Sequence, residues 1–257
     1  SSKIIARGPF AGWIALKLLD HSKQTELIIQ ARGLCAEEYQ YSHQTNHAWL
    51  KILTKLLTKL RYLQLFKLEK KVYRIPPNQN IKIECVSPAL QDYFITSYYT
   101  HPLTLTIAQE DFPSPISTKQ LTSWRTILRK TLNIASHIPV YCYSGSNHKW
   151  QCPNETIQFF AQTLTDEPAA FLLILTPQAV FFHELAKFYK LPPSNYLVLS
   201  VAHHEIYQYL AIADYGLLLR EKHILNWVSR PTKALEYQNA GLKIIHNQTV
   251  EWLIRNH

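Results

Sequence analysis

Glycine, methionine and acidic residues are scarce in this 257-residue sequence. It contains six glycines and no methionine, and 18 acidic residues stand against 27 lysines and arginines. The glycines form no G-x-G-x-x-G, no P-loop and no G-x-S-x-G, which argues against dinucleotide binding, P-loop NTP hydrolysis and an α/β-hydrolase nucleophile. Because the first residue is serine and no methionine occurs, we expect that an N-terminal part is missing.

Paired cysteines and long apolar runs are also absent. The four cysteines form no C-x-x-C motif and are interpreted as reduced thiols: Cys35, Cys85, Cys142 and Cys152. The most apolar run, residues 169–175, is too short to span a membrane, and Pro177 follows it. Nothing resembles a signal peptide. We therefore expect a cytoplasmic protein.

The histidines supply no convincing metal site. His43 and His47 are four residues apart and His203 and His204 are adjacent, but no cysteine or carboxylate completes a ligand set at either pair. Ordinary surface or core histidines are the expected outcome. We therefore predict a protein without a metal ion or another cofactor.

The formal net charge of +9 indicates an anionic partner. Nucleotide phosphates, a lipid surface and nucleic acid are the three candidates. The aromatic residues fall mostly within predicted strands and helices rather than in an exposed basic stripe. For that reason we expect no binding of nucleic acid.

Predicted strands alternate with helices along most of the chain, which is typical of an α/β fold with parallel sheets. A stretch rich in turn formers at 111–115 marks a boundary between two domains, 1–112 and 113–257. Residues 3–19 are predicted to form a loop followed by an apolar helix. The predicted strands are 26–31, 80–86, 104–107, 139–143, 171–175, 196–201 and 215–219, with a further short buried strand at 242–245.

The stretch 229–245 has the pattern of a helix that presents its N-terminus to a phosphate. Ser229 is a favoured N-cap residue, and Pro231 is tolerated in a first helical turn. Thr232 and Lys233 follow at the point where free backbone N–H groups and the positive end of the helix dipole face outward. An ordinary capped helix of an α/β domain is the alternative.

A carboxylate lies about one turn further along the same predicted helix, at Glu236, and Gly241 has the position of a glycine that ends a helix. An anion-binding helix start with a nearby carboxylate suggests a ligand with phosphates and hydroxyls, such as a nucleotide sugar. Lys149 follows the first predicted strand of the second domain and is the first candidate for a phosphate-binding cation. Lys233 or Arg220 is the second candidate.

Three blocks of the sequence resemble segments of family 4 glycosyltransferases of the GT-B fold, and they occur in that family's order. The most specific block comprises Arg220, Glu221, Asn226, Val228, Pro231, Lys233, Glu236, Tyr237, Gly241 and Leu242. Another comprises Tyr143, Ser144, Gly145, Ser146, Lys149, Trp150 and Gln151. A further one comprises Arg32, Gly33 and Leu34, followed by Glu37 and Glu38.

This resemblance implies a GT-B-like architecture of two Rossmann-like domains with parallel sheets, of which the N-terminal, acceptor-side domain is truncated. It implies a hexosyltransferase-like enzyme whose C-terminal domain binds a nucleotide sugar. The sugar passes to a glycan, lipid-linked or protein acceptor with retention of anomeric configuration, and no metal ion takes part.

The resemblance also assigns roles to individual residues. Catalytic roles fall to Lys149, Arg220 and Glu221. Donor-binding roles fall to Ser144, Gly145, Ser146, Lys149, His203, Asn226, Ser229, Thr232, Lys233 and Glu236. Within that set, Glu236 binds the ribose hydroxyls, and His203 begins a helix where this fold lines the nucleotide pocket.

The sequence departs from the family pattern at two positions. Val228 replaces the first of the two glutamates that the family usually carries, and Ser146 stands near the place of the usual loop arginine. A catalytically degenerate scaffold or a regulatory binding protein is therefore the alternative function.

Three residues are candidates for handling the acceptor. Arg32, Glu37 and Glu38 follow the predicted strand 26–31, at the C-terminal end where α/β folds place ligands. The alternative is a surface loop with an acidic pair that begins a helix, and the sequence favours neither.

Residues 49–73 form one long helical pattern of strongly basic character. Leucines recur at helical spacing, and the basic residues, which continue to position 74, include Lys51, Lys55 and Lys59. A basic amphipathic helix is typical of binding to an anionic membrane surface. On this hypothesis, the cytoplasmic protein also associates peripherally with the inner face of the membrane. The alternative is a helix that packs on the core and exposes its basic face to solvent.

Overall fold

A computed structural model describes residues 2–19, 25–43, 51–77, 80–109 and 113–256. The chain divides into two compact units. The first unit comprises Ser1–Glu110, His223–Arg230 and Val250–His257, and the second comprises Asp111–Lys222 and Pro231–Thr249. None of the helices in the described ranges is both long enough and apolar enough to cross a membrane.

The first unit contains a parallel four-stranded sheet in the order β1-β2-β3-β4. Its strands are Ser2–Arg7 (β1), Thr25–Ala31 (β2), Ile81–Cys85 (β3) and Leu105–Ile107 (β4). Its helices include Gly8–Leu18 (α1), Cys35–Ser42 (α2), Lys51–Tyr73 (α3) and Pro88–Tyr93 (α4), and a π-helical turn at Phe94–Tyr98 follows α4. The core lies between β2, β3 and these helices.

Strand β1 was not predicted, because residues 3–19 were expected to begin as a loop. The strand pairs with β2 in parallel register from Ser2 opposite Thr25 to Arg7 opposite Gln30. Its sequence, SKIIAR, shows neither the alternation nor the long apolar run that marks a strand. Of its residues only Ala6 is buried. Pairing with β2, rather than its own pattern, makes this segment a strand.

The second unit contains a parallel five-stranded sheet in the order β7-β6-β5-β8-β9. Its strands are Val140–Ser144 (β5), Phe171–Leu175 (β6), Tyr196–Leu199 (β7), Tyr215–Leu218 (β8) and Lys243–His246 (β9). The later helices of the chain are Thr118–Thr131 (α5), Pro153–Asp166 (α6), Ala179–Phe188 (α7), Ile206–Leu210 (α8), Ile224–Trp227 (α9), Thr232–Asn239 (α10) and Glu251–Asn256 (α11). Strand order reverses between β5 and β8, and ligands of open α/β sheets bind at such a point.

Two segments assigned to the domain 113–257 belong instead to the first unit, namely His223–Arg230 with α9 and Val250–His257 with α11. Val228 is 1% exposed within the core of the first unit. The carbonyl oxygen of Val228 also accepts a hydrogen bond of 2.5 Å from Oγ of Ser87, the N-cap residue of α4. The predicted boundary after residue 112 lies two residues from the observed one after Glu110. Contacts between positions so distant in sequence leave no local signal, which is why the return of the two later segments was not predicted.

Helix α5 is joined to the sheet of the second unit through one aspartate. Asp214 accepts hydrogen bonds from Arg125 at 2.5 Å, from Arg129 at 2.8 Å and from the backbone N–H of Val140 at 2.8 Å. Arg129 is 4% exposed and also donates to backbone carbonyl oxygens, including that of Ile212 at 2.7 Å. The carboxylate supplies the negative charge that this buried guanidinium requires.

We predict that Asp214→Ala lowers the free energy of unfolding by about 3 kcal/mol, because it leaves the charge of Arg129 buried without a counter-charge. The matched control is Glu184→Ala, which removes an exposed carboxylate paired with Lys187 at 2.7 Å and is expected to cost less than about 1 kcal/mol. Urea unfolding followed by near-UV circular dichroism measures both. Equal losses in the two variants would show that the cluster contributes no more than a surface pair.

Candidate active site

The candidate site lies at the carboxyl ends of the strands of the second unit, around a cavity of about 340 Å³. Six of the predicted donor-binding residues line it: Ser144, Gly145, His203, Thr232, Lys233 and Glu236. They come from the end of β5, the segment after β7 and the start of α10. Parallel strands bring these elements together because their carboxyl ends share one edge of the sheet.

Helix α10 begins two residues later than the sequence predicts. Its N-cap residue is Pro231, not Ser229, and no side chain caps its first turn. The hydroxyl of Ser229 donates instead to the carbonyl oxygen of Asn226 at 2.8 Å, within the first unit. A proline holds the preceding residue in extended conformation, so the helix begins only after it. Thr232 and Lys233 therefore form the first turn.

Glycine at position 145 lets the side chain of Lys233 cross the end of β5. Nζ of Lys233 donates a hydrogen bond of 2.7 Å to Oε1 of Gln151. A Cβ atom at Gly145 would lie 2.5 Å from both of these atoms, closer than real contacts allow. Gln151 also donates to the hydroxyl of Ser146 at 2.9 Å, which closes the loop after β5. Both Gly145 and Ser146 therefore lie at the site. Gly145 contributes by leaving space for Lys233 and Gln151, because it has no side chain.

A second cation lies beside Lys233. Arg220, which follows β8 and is 8% exposed, lines a narrow cavity together with Lys233 and Tyr143. Among the described residues, no carboxylate forms a salt bridge with either cation. Burial and the charge of Arg220 lower the pKa of Lys233 to about 7, against a smaller opposite effect of Glu236. Burial likewise lowers the pKa of Arg220.

Glu236 lies one helical turn after Lys233 and faces the same cavity. Burial raises the pKa of Glu236, while His203 and Lys233 act in the opposite direction. The site thus combines two cations that lack a carboxylate partner with a carboxylate about 5 Å further along the helix axis, the rise of one turn.

Tyr237 holds α10 against β5, a role that the sequence analysis did not assign. Its hydroxyl oxygen accepts a hydrogen bond of 2.8 Å from the backbone N–H of Ser144, and the residue is fully buried. The ring lies against Gly216 of β8, where a Cβ atom would come within 2.3 Å of a ring carbon. Tyr237 stands in the motif that resembles the glycosyltransferase family, and this was its only sequence signal.

Lys149 and Glu221 were predicted as catalytic, but the structure places them away from the cavity. The side chain of Lys149 is 82% exposed, and its Nζ lies 3.9 Å from a carboxylate oxygen of Glu221. Asn226 and Ser229 belong to the first unit and are not among the residues that line the cavity. Of the two second-choice cations, Arg220 is buried and Lys233 is half-buried, whereas Lys149 is exposed.

Other lining residues were not predicted at all. Thr176, Ser200, Val201 and Ile206 lie on the cavity wall after β6 and β7. One feature of the sequence could have predicted them: Thr176 and Pro177 directly follow a predicted buried strand, and ligands of α/β folds bind at the carboxyl ends of such strands. No group of three or more metal-ligating side chains occurs in the part of the chain that the structure describes, to which His47 does not belong.

The predicted acceptor-side residues lie together in the first unit, at the end of β2 and in the first turn of α2. Glu37 accepts a hydrogen bond of 2.9 Å from the hydroxyl of Tyr62. Arg32 donates to the side-chain oxygen of Gln30 at 3.4 Å. The carboxylate of Glu38 folds back toward Gly33, and its partial burial there raises the pKa of Glu38.

Comparisons with known proteins agree with this architecture. No protein-family model and no curated protein matches the chain. Among solved structures it is similar to WaaG, a glycosyltransferase involved in lipopolysaccharide biosynthesis, with 17% identity, a TM-score of 0.62 and coverage of 96% of this chain and 65% of that one. It is also similar to Anabaena HepE in complex with UDP, with 12% identity, a TM-score of 0.62 and coverage of 99% and 62%.

The catalytic domain of Arabidopsis starch synthase IV, bound to ADP and acarbose, is a further match with 11% identity, a TM-score of 0.57 and coverage of 97% and 57%. The chain therefore spans about two thirds or less of each of these three chains. These likenesses confirm the predicted fold class, an α/β protein with parallel sheets and a GT-B-like fold. Truncation of the N-terminal domain stays a prediction.

We predict that the pH dependence of stability changes in Lys233→Met. Because the pKa of Lys233 is about 7 in the folded chain and about 10.4 when unfolded, the unfolded chain binds more protons between these values. The contribution of Lys233 to the free energy of unfolding therefore rises with pH in this range, by up to about 1.4 kcal/mol per pH unit.

Urea unfolding at about pH 7, 8 and 9 measures this effect as the difference between the original chain and Lys233→Met. The free energy of unfolding of the original chain minus that of Lys233→Met is expected to rise with pH. Lys187→Met is the control, since Lys187 is exposed and paired with Glu184, and its difference is expected to stay constant. A constant difference for Lys233→Met as well would contradict the lowered pKa of Lys233.

Proposed function

We propose that this chain is a glycosyltransferase of the GT-B fold that binds a nucleotide-sugar donor in its second unit. The observation that carries the proposal is the pair Lys233 and Arg220. Arg220 is buried and Lys233 is half-buried; among the described residues neither forms a salt bridge with a carboxylate, and both line one narrow cavity next to the uncapped start of α10. An anion at that point would meet both positive charges and the free N–H groups of a helix.

The diphosphate of the donor is the anion that this arrangement fits best. Two cations and the N–H groups of a first helical turn can neutralise the charge that develops on a leaving diphosphate. We accordingly propose that the reaction needs no divalent metal ion. Lys149 then serves at most at the rim, because Glu221 already balances its charge.

Glu236 is proposed to bind the ribose of the donor. A carboxylate can accept hydrogen bonds from two neighbouring hydroxyls, and Glu236 stands one turn beyond the phosphate-facing end of α10. Leu175, Val201 and Ile206 form an apolar part of the cavity wall, which fits a nucleobase. Phosphate, ribose and base would thus follow one another from α10 toward the ends of β6 and β7.

Two similar structures support a nucleotide ligand, since HepE was solved with UDP and starch synthase IV with ADP. The sequence motifs that resemble family 4 glycosyltransferases support a hexosyl donor and retention of configuration, and we include both in the proposal. The acceptor is proposed to be a glycan, lipid-linked or protein substrate handled by the first unit at Arg32, Glu37 and Glu38.

A membrane-borne acceptor is favoured by the surface of α3. This helix confirms the predicted helical segment for its described residues, 51–73, and the first two predicted positions lie outside the described residues. Leucines on it are strongly exposed, with 53% at Leu56, 56% at Leu57 and 50% at Leu60. Lys55 and Lys59 are exposed beside them. We therefore propose peripheral binding to the anionic cytoplasmic membrane face.

Titration calorimetry with UDP, ADP and GDP tests the donor site. We expect one of them to bind, and Glu236→Gln to weaken that binding by about 1.5–3 kcal/mol, the value of a hydrogen bond to a charged group. This corresponds to about 10- to 150-fold in Kd. Glu184→Gln, at an exposed position of α7, is the control and should leave Kd unchanged.

The alternative function, a scaffold or regulatory protein, predicts a different result for the same titrations. If none of the three nucleotides binds, the chain is a scaffold or a regulatory protein rather than a transferase. If one binds equally well to the original chain and to Glu236→Gln, the nucleotide occupies another place and the assignment of the ribose site is wrong.

Sedimentation with vesicles tests the membrane proposal. Vesicles of phosphatidylcholine with added phosphatidylserine should bind the chain, and those without it should not. The double variant Lys55→Glu/Lys59→Glu should lose at least about 2 kcal/mol of binding, since each basic residue near such a surface contributes about 1 kcal/mol. Lys187→Glu/Lys190→Glu makes the same charge change in the second unit, and equal loss in both variants would contradict a role of α3.

A further inference from the structure

A buried carboxylate in the first unit takes no part in the donor site. Glu69 of α3 is 0% exposed and lies in the aromatic part of the core, near Tyr73 and Tyr98. Among the described residues, no lysine, arginine or histidine forms a salt bridge with it. A carboxylate buried without a cation loses much hydration, so its hydrogen bonds must hold it in place.

Those hydrogen bonds go to the start of another helix. Oε1 of Glu69 accepts from the backbone N–H of Cys35 at 2.7 Å, and Oε2 accepts from the backbone N–H of Ala36 at 3.2 Å. Both groups belong to the first turn of α2, whose N-cap residue, Leu34, has no side-chain acceptor. Glu69 therefore performs from α3 the capping that a serine or aspartate at the N-cap usually performs.

A third bond fixes the carboxylate from the opposite side. The hydroxyl of Tyr98 donates to Oε2 of Glu69 at 3.0 Å. Tyr98 is the last residue of the π-helical turn Phe94–Tyr98, a form of helix that is rare and often found at functional sites. Three donors from two separate elements thus converge on one carboxylate.

Helix α2 carries the proposed acceptor-side carboxylates in its first turn. Glu37 is held by Tyr62 of α3. The carboxylate of Glu38 lies so close to Gly33 that a Cβ atom there would come within 2.8 Å of it. Any movement of the first turn of α2 would therefore displace both carboxylates relative to the end of β2.

We propose that Glu69 is a positioning residue: it fixes the start of α2, and with it Glu37 and Glu38, and loss of its proton loosens that start. The assignment of α2 to the acceptor rests on the proposed function. The capping and its dependence on the proton do not, since both follow from contacts within the first unit.

The direction of the pH effect follows from burial. Burial raises the pKa of Glu69 to about 7, and the bonds from Cys35, Ala36 and Tyr98 act against it. At neutral pH, the titratable groups that face Glu69 carry either no charge or a negative charge. They are Cys35 and Glu38 on α2, Tyr62 and Tyr73 on α3, Tyr93 on α4 and Tyr98.

When the first turn of α2 opens, Glu69 meets water and its pKa returns toward the ordinary value of about 4.3. The closed form therefore holds the proton more tightly than the open form. By linkage, opening becomes more frequent as pH rises from about 5 to 7 and levels off above the pKa of the closed form.

Amide hydrogen exchange at Cys35 and Ala36, followed by NMR on the full chain, tests the proposal. After correction for the intrinsic exchange rate, protection of both amides should fall roughly 10- to 100-fold between about pH 5 and 7.5. Protection of the amides of α6 in the second unit should not follow this profile. A pH-independent protection at Cys35 and Ala36 in the original chain would overturn the proposal, whatever any variant shows.

Two variants separate positioning from mere packing. In Glu69→Gln the pH dependence should vanish, because the amide does not titrate, and at least one of the two amides should lose protection. Tyr98→Phe removes a bond to the ionised form, so the midpoint of the profile should move to higher pH. An unchanged profile in both variants would overturn the proposal, and Glu184→Gln is the neutral control.

The outcome is distinguishable from that of the proposed function. Donor binding to the second unit is measured by calorimetry and requires nothing of Glu69. If nucleotides bind but the exchange profile is flat, the positioning role fails alone. If the profile appears but no nucleotide binds, Glu69 still fixes α2, and only the purpose of α2 changes.

Discussion

The ammonium group of Lys233, half-buried beside Arg220 and without a salt bridge to a carboxylate among the described residues, is the constraint on which the candidate site depends. Its Nζ donates a hydrogen bond of 2.7 Å to the neutral amide of Gln151. An amide oxygen orients an ammonium group but supplies no compensating charge, so part of the lost hydration remains uncompensated. An anion restores the balance, and the free N–H groups at the start of α10 favour the same anion.

The surrounding structure serves to hold that lysine against the strands. Because position 145 is a glycine, no Cβ atom clashes with Lys233, and because position 216 is a glycine, none clashes with the ring of Tyr237. Tyr237 then joins α10 to the end of β5 through the N–H of Ser144. With only six glycines in the chain, two lie where α10 approaches the sheet most closely, so these positions report a packing requirement rather than flexibility.

The sequence predicted those parts of the site that rest on local pattern. Strand and helix alternation predicted the parallel sheets, and the helix containing Lys233 and Glu236 was found near its true bounds. Contacts between distant residues were not predictable. The capping of α2 joins Glu69 to Cys35, which is 34 positions away, and no spacing rule links them. Lys149 was preferred over Lys233 because exposure and the pairing with Glu221 depend on tertiary structure.

The two units use the same element, a helix that starts just after a parallel strand or loop, in opposite ways. At α2 the first N–H groups are satisfied within the chain by the carboxylate of Glu69. At α10 no side chain caps the first turn, and two cations lie beside it instead of a carboxylate. Two donors at the start of α2 are thus occupied and its first turn carries Glu37 and Glu38, whereas the start of α10 retains both donors and positive charge. This difference favours the second unit for the nucleotide and leaves the α2 side to a ligand that meets carboxylates.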